Sequence, residues 1–151
     1  MHLYDDLEQA RALLPRATKW SRLFSAAEES HRLPAGPMYS IGDSLTWRVV
    51  SARDAETEFQ VRRRYLRAVY CRAGAIRVEA ATTYRPLGPY SDLDDRQRVE
   101  VLDGARPSVL SLEPGQLAVL DISEASRVIP AADSSAMLAH LTVEGPNIDL
   151  H

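Results

Sequence analysis

The chain has 151 residues, enough for one globular domain with a sizeable core and too few for two ordinary ones. Its 45% hydrophobic and 26% charged residues exclude disorder and fibrous architectures, and 18 basic against 21 acidic residues, a net charge of -3, argue against any grip on a nucleic-acid backbone. The segment Met1 to Gln9 is acidic where a secretory signal would be basic, and no apolar run approaches the roughly 18 residues that cross a bilayer, so a cytoplasmic protein with no membrane partner is expected.

Leu3, Leu7, Ala10 and Leu14 recur at helical spacing, Asp5 and Asp6 suit the dipole of a first turn, and Pro15 ends the run. A second stripe, Trp20, Leu23, Phe24 and Ala27, predicts another helix, with Thr18 as its N-cap and Pro34 to Pro37 closing it. From Met38 the period changes to two. Met38 to Ile41, a Gly42-Asp43 turn, and Leu45, Trp47 and Val49 alternating with Thr46, Arg48 and Val50 predict a hairpin. Further strands are predicted over Phe59 to Cys71, Ala75 to Ala81, Arg98 to Leu102, Ser108 to Leu112, Leu117 to Ile122, Ser126 to Ile129 and Met137 to Val143. Thr82 to Asp95, with two prolines, a glycine and three aspartates, reads as a long loop suited to lie over a binding mouth. Nine or so short strands imply a closed or double-sheet β structure. The expected layout is therefore one domain over residues 1–151, with a helical segment 1–37 packed on a β-sandwich 38–151.

Four pieces, in order, carry a family resemblance: Leu33-Pro34-Ala35-Gly36 followed by Ile41-Gly42-Asp43; Arg63-Arg64-Tyr65-Leu66; Pro89-Tyr90 with Asp92 and Asp95; and Leu112-Glu113-Pro114-Gly115 with Leu117-Ala118-Val119. Together they resemble the YhcH/YjgK/YiaL family, which includes the small subunit of the evolved β-galactosidase and sugar-acid anomerases. The resemblance implies a mainly β, cupin-like jelly roll with two N-terminal helices, a homodimer, and a polar pocket that in relatives holds a metal ion and a sugar or sugar acid. Here the family's Glu falls on Gln60, its His on Arg62, its Asp on Arg67, its Gln on Val69, the later His on Ser126 and the C-terminal Lys on His140. Arginine does not coordinate a cation, and Gln or Ser bind one weakly, so no metal and no other cofactor is expected.

Arg62, Arg63, Arg64 and Arg67 form the densest charge feature, and continuous strand alternation predicts Arg63, Tyr65 and Arg67 on one face with Arg62 and Arg64 on the other. An inward Arg67, as the resemblance implies, would hold a carboxylate or phosphate by paired hydrogen bonds. The competing reading is a solvated face, or an ion pair with Glu58, Asp92 or Asp95. His140, in an otherwise apolar strand, is either a packed core histidine or, as its alignment implies, a general acid or base, with Tyr65 the other candidate catalytic residue. Gln60, Arg62, Arg67, Tyr90, Asp92 and Ser126 are the candidate ligand contacts. Tyr65, Tyr70, Tyr84 and Tyr90 suit either a sugar face or the core.

The other histidines, His2, His31 and His151, have no ligand spacing, and Cys71 is alone, so no disulfide can form within the chain. Seventeen of the 18 basic residues are arginine, a bias of GC-rich bacterial genomes rather than a functional signal. The expected function is binding of a small anion such as a sugar acid, non-catalytic or regulatory, in carbohydrate metabolism. The alternatives are a metal-independent sugar anomerase or isomerase, and a protein-interaction module on the same scaffold.

Overall fold

A computed structural model describes residues 1–148, and His151 lies outside the described residues. In chain order the elements are β1 (His2–Tyr4), α1 (Leu7–Leu13), α2 (Thr18–Ser30), β2 (Met38–Ile41), β3 (Leu45–Ser51) and a 3-10 turn (Ala52–Asp54). There follow β4 (Phe59–Val61), β5 (Tyr65–Ala73), β6 (Ile76–Ala81), β7 (Tyr84–Pro86), β8 (Gln97–Val101), β9 (Ser108–Leu112), β10 (Leu117–Leu120), β11 (Ala125–Pro130) and β12 (Ser135–Thr142). They make two six-stranded antiparallel sheets, β1-β10-β5-β12-β3-β2 and β7-β8-β4-β11-β6-β9. The protein is mainly β, a cupin-like jelly-roll sandwich with two N-terminal helices. No helix of the described residues is long and apolar enough to cross a membrane.

Alternation along the strands divides the core. Leu45, Trp47 and Val49 of β3, Leu66, Ala68 and Tyr70 of β5, and Met137, Ala139 and Leu141 of β12 face the helices, where they bury Trp20, Leu23, Phe24 and Ala27 of α2. The intervening residues point between the sheets. There Val50, Val69, Cys71, Ala136 and Leu138 meet Ile76, Val78, Leu112 and Val128 of the opposite sheet. This apolar packing fills one end of the sandwich and leaves the other to polar side chains.

The predicted hairpin forms as β2 and β3, and its turn suits glycine because Gly42 adopts φ +59°. Arg22 donates from α2 to Ser44 Oγ at 2.8 Å, tying helix to hairpin. Lys19, the lone lysine, is buried and donates to the carbonyls of Thr142 and Glu144 at 2.9 Å each and to Asn147 Oδ1. Trp20 Nε1 donates to the Pro146 carbonyl at 2.9 Å, so α2 holds the segment after β12 against the sheet. Burial holds the Lys19 ammonium below its usual range.

Four expectations are corrected. Leu3 belongs to β1, paired with Ala118, and α1 starts only after Asp6, whose side chain accepts from the Gln9 amide. Ala17, not Thr18, is the N-cap of α2. The predicted loop Thr82 to Asp95 contains a short strand, β7, on the edge of the second sheet. The predicted strand Phe59 to Cys71 is two strands in different sheets, because the Asp95 carboxylate accepts the amides of Arg63 and Arg64 at 3.0 Å each and replaces the ladder bonds where the chain crosses over.

Candidate functional site

The polar end of the sandwich holds a cavity of about 410 Å³. β3 contributes Thr46 and Arg48, β4 Gln60, β5 Tyr65 and Arg67, and β12 Leu138 and His140; the crossover after β4 brings Arg62 and Arg64. Glu56, just after the 3-10 turn, and the run Leu93 to Arg96 before β8 complete the wall. The register explains this convergence: His140 pairs across the ladder with Arg67 on one side and Thr46 on the other, so all three side chains share the inward face.

Arg67, only 4% exposed, anchors a buried chain of hydrogen bonds. Its Nη2 donates to both oxygens of Glu56, at 3.0 and 2.8 Å, and its Nη1 donates to Ser126 Oγ at 2.9 Å. Glu56 also accepts from Gln60 Nε2 at 2.9 Å and from the Val128 amide at 2.8 Å, which occupies its carboxylate fully. Gln60 Oε1 accepts in turn from Arg62 Nη2 at 3.0 Å, and Arg62 Nη1 donates to the carbonyls of Asp94 and Asp95 at 3.2 and 3.3 Å. Burial, and then the charge of Arg67, lowers the Arg62 guanidinium to about 10, so it remains a cation at neutral pH. Arg62 Nε, Arg67 Nε and His140 Nε2 are out of contact with solvent and have no hydrogen-bond partner among the described residues.

His140 is held well below the usual imidazole range by burial, and then by the charges of Arg62, Arg67 and Arg48, so at neutral pH it is uncharged. The consequence for stability has a definite sign. Below about pH 6.5 the unfolded chain takes up a proton at this imidazole while the folded chain does not. Stability therefore falls on acidification through that region, by up to about 1.4 kcal/mol per pH unit from this group. Urea unfolding of wild type and His140→Gln at about pH 7 and about pH 5.5 checks this. The variant should lose less stability than wild type between the two, and equal losses would mean that the imidazole titrates normally in the fold.

The structure places the sequence-predicted residues in three groups. Gln60, Arg62, Tyr65, Arg67 and His140 all line the cavity. Ser126 lies below it, buried and bonded to Arg67. Tyr90 and Asp92 stand outside: Tyr90 donates to Asp95 and carries the Arg63 guanidinium 3.9 Å from its ring centre, and Asp92 is exposed and paired with Arg64 at 3.6 Å. The predicted alternation fails with the single strand that it assumed, because Arg62, Arg64, Tyr65 and Arg67 line one cavity and Arg63 turns out. Arg67 does form an internal ion pair, with Glu56 rather than Glu58, Asp92 or Asp95. Sequence reasoning missed Glu56, Arg48 and Arg96. Arg48 was readable, since alternation in the hairpin sets it opposite the apolar face of Leu45, Trp47 and Val49; Glu56, in a short polar stretch, has no such signal.

A metal does not fit these residues. Gln60, Arg62, Arg67 and Ser126 supply guanidiniums and weak donors, and the one carboxylate at their centre is already bonded to Arg67. Among the described residues no group of three or more His, Cys, Asp or Glu side chains is placed to hold an ion.

No family model matches the chain. Among solved structures it is similar to the hydroquinone 1,2-dioxygenase from Sphingomonas sp. TTNP3, at 17% identity over 83% of this chain and 74% of that one, TM-score 0.49. It is also similar to protein NMB1881 from Neisseria meningitidis, at 11% identity over 76% of this chain and 94% of that one, TM-score 0.45. A third is the hydroquinone 1,2-dioxygenase PnpCD, at 16% identity over 83% and 72%, TM-score 0.48. Function has to come from the cavity itself.

Proposed function

We propose that the cavity binds a small hydroxylated anion such as a sugar acid, and that the protein is a divergent, metal-free relative of the YhcH/YjgK/YiaL proteins acting in the cytoplasm as a binding or regulatory protein. The observation that carries this is the charge of the wall: five guanidiniums, from Arg48, Arg62, Arg64, Arg67 and Arg96, face three carboxylates, from Glu56, Asp94 and Asp95. A net positive, half-enclosed hollow concentrates anions, and its low-dielectric walls strengthen the attraction. Hydroxyls of the ligand have Thr46, Tyr65, Gln60 and His140 to meet, whereas Leu138 is the one aliphatic residue lining the hollow inside the exposed Met38 and Leu93. In this reading Arg62 and His140 touch the ligand, Arg67 with Ser126 holds the wall, and Tyr90 and Asp92 serve the loop.

Binding is favoured over catalysis by the state of His140. Anomer exchange requires one group to give a proton and another to take it, and an uncharged imidazole held to low basicity by burial, and then by three arginines, does neither well near neutral pH. A thermal-shift screen with neutral sugars, sugar acids and sugar phosphates tests the proposal. Ligand at about 100 times its Kd stabilises the fold by about 2.7 kcal/mol. Anions should raise the melting temperature, neutral sugars should not, and Arg48→Ala should weaken the response. A melt unmoved by every anion would contradict the proposal, and anomer exchange catalysed by wild type but lost in His140→Gln would replace it with the anomerase.

A further inference from the structure

Resting on the anion-binding reading, we infer that the ligand carries two anionic groups on one hydroxylated skeleton, as a sugar dicarboxylate or a phosphorylated sugar acid does. The inference comes from which charges around the cavity are already satisfied.

Glu56 is committed to Arg67 through two hydrogen bonds, so these charges cancel inside the wall. Asp95 is committed to the amides of Arg63 and Arg64 and to the Tyr90 hydroxyl, with Arg64 Nε 3.9 Å away. Asp94 is exposed, and its carboxylate accepts from Ser91 Oγ at 3.2 Å. His140 is uncharged at neutral pH. Five cations against three anions leave an excess of two positive charges: Arg67 pairs with Glu56 and Arg64 with Asp92 and Asp95, and three guanidiniums have no carboxylate partner, with the exposed Asp94 offsetting one of their charges. Arg62 bonds only to Gln60 and to main-chain carbonyls, all of them neutral acceptors. Arg48 and Arg96 make no side-chain hydrogen bond or ion pair with any described residue.

These cations stand in two places. Arg96 is exposed and Arg48 half-buried, and both also line an adjoining hollow of about 300 Å³ with Glu56, Gln60, Asp54, Glu58 and Arg98, where Glu58 pairs with Arg98, Asp54 accepts from the Ser51 amide and Glu56 is held by Arg67. They come from opposite sheets, Arg48 from β3 and Arg96 from the approach to β8, and so mark an outer anion position where the two hollows meet. The inner position is the wall of Arg62, whose guanidinium meets only neutral acceptors among the described residues, and of the uncharged His140. One carboxylate would neutralise a single charge at one position and leave a guanidinium unmatched at the other. Two anionic groups match both.

Isothermal titration of the wild-type protein with glucarate, 6-phosphogluconate, gluconate and glucose at low ionic strength tests this. At least one of the two doubly charged compounds should bind about tenfold or more tightly than gluconate, and glucose should not bind. Whichever of the two binds more tightly identifies the second group as carboxylate or phosphate. Arg48→Gln and Arg96→Gln, which break no hydrogen bond of the fold, should each reduce that advantage to about threefold or less, and Arg48→Lys should restore part of it. Gluconate binding as tightly as both doubly charged compounds would overturn the inference and leave anion binding standing. No binding by any of the three acids would overturn both.

Discussion

Replacing Glu56 with alanine is expected to lower the unfolding free energy by about 3–5 kcal/mol, the largest loss for any single substitution at the site. The partners sit where water does not rescue them: the Arg67 side chain is 4% exposed and that of Glu56 17%. Removing the carboxylate leaves a guanidinium in the middle of the sandwich with only Ser126 as acceptor, and it also strips Gln60 Nε2 and the Val128 amide of theirs. The double replacement Glu56→Leu with Arg67→Met should cost less than Glu56→Ala alone, because an apolar pair of similar size leaves no buried charge. Urea unfolding of wild type, Glu56→Ala and the double variant decides the matter. A loss below about 1 kcal/mol for Glu56→Ala would mean that the pair is solvated in solution and behaves like a surface bridge.

Asp95→Ala should come next, at about 2–4 kcal/mol, and should also weaken ligand binding. Asp95 is 2% exposed and accepts three hydrogen bonds, from the amides of Arg63 and Arg64 and from the Tyr90 hydroxyl. Its backbone sits at φ +48°, in the left-handed region that Asp and Asn tolerate better than Ala, so truncation loses on both counts. The same carboxylate fixes the crossover that aims Arg62 and Arg64 at the cavity, which couples a structural anchor to the charge of the site. Asp95→Asn keeps the side-chain shape and one acceptor, and should lose about half as much.

The pH dependence separates Asp95 from His140. Burial pushes the Asp95 carboxyl up, but the hydrogen bonds from Tyr90, Arg63 and Arg64 outweigh it and hold the group below its usual range. Its stabilisation is therefore complete above the unfolded value of about 3.9 and is lost as pH falls from there through the folded value. The difference between wild type and Asp95→Asn should be constant from about pH 7 to about pH 5 and narrow below about pH 4, whereas the His140 effect sets in near about pH 6.5. A difference that already shrinks between about pH 7 and about pH 5 would contradict the assignment.

Local chemistry made much of the fold legible. The hairpin could be read because a Gly-Asp turn separates two alternating runs, and β9 forms over the predicted Ser108 to Leu112 because Pro107, Pro114 and Gly115 bracket it. Misreadings came from determinants distant in sequence. The run from Phe59 to Cys71 has no glycine or proline to mark a break, and the group that breaks it, Asp95, lies about 30 positions further on. Leu3 fits a helical stripe by spacing, yet pairing with β10 and the cap at Asp6 put it in a strand.

The candidate site divides in the same way. Strand positions in the family resemblance, Gln60, Tyr65, Arg67 and His140, converge on the cavity because strand register transmits alignment into space, and Arg62 joins them from the crossover. The loop positions Tyr90 and Asp92 do not, because the loop hangs from Asp95 and points them outward. Of the two readings open for Arg67, an internal ion pair is the one that forms, with Glu56; among the arginines free of carboxylates Arg62 lies in the predicted cluster, whereas Arg48 and Arg96 are single residues with no motif around them.

The most direct test of anion binding in this cavity is a crystal structure of the protein grown with glucarate. The predicted result is the ligand inside the sandwich, with one carboxylate within about 3 Å of the Arg48 or Arg96 guanidinium and the other turned toward Arg62 and His140. Glucarate bound only on the outer surface, with the cavity holding water alone, would contradict it.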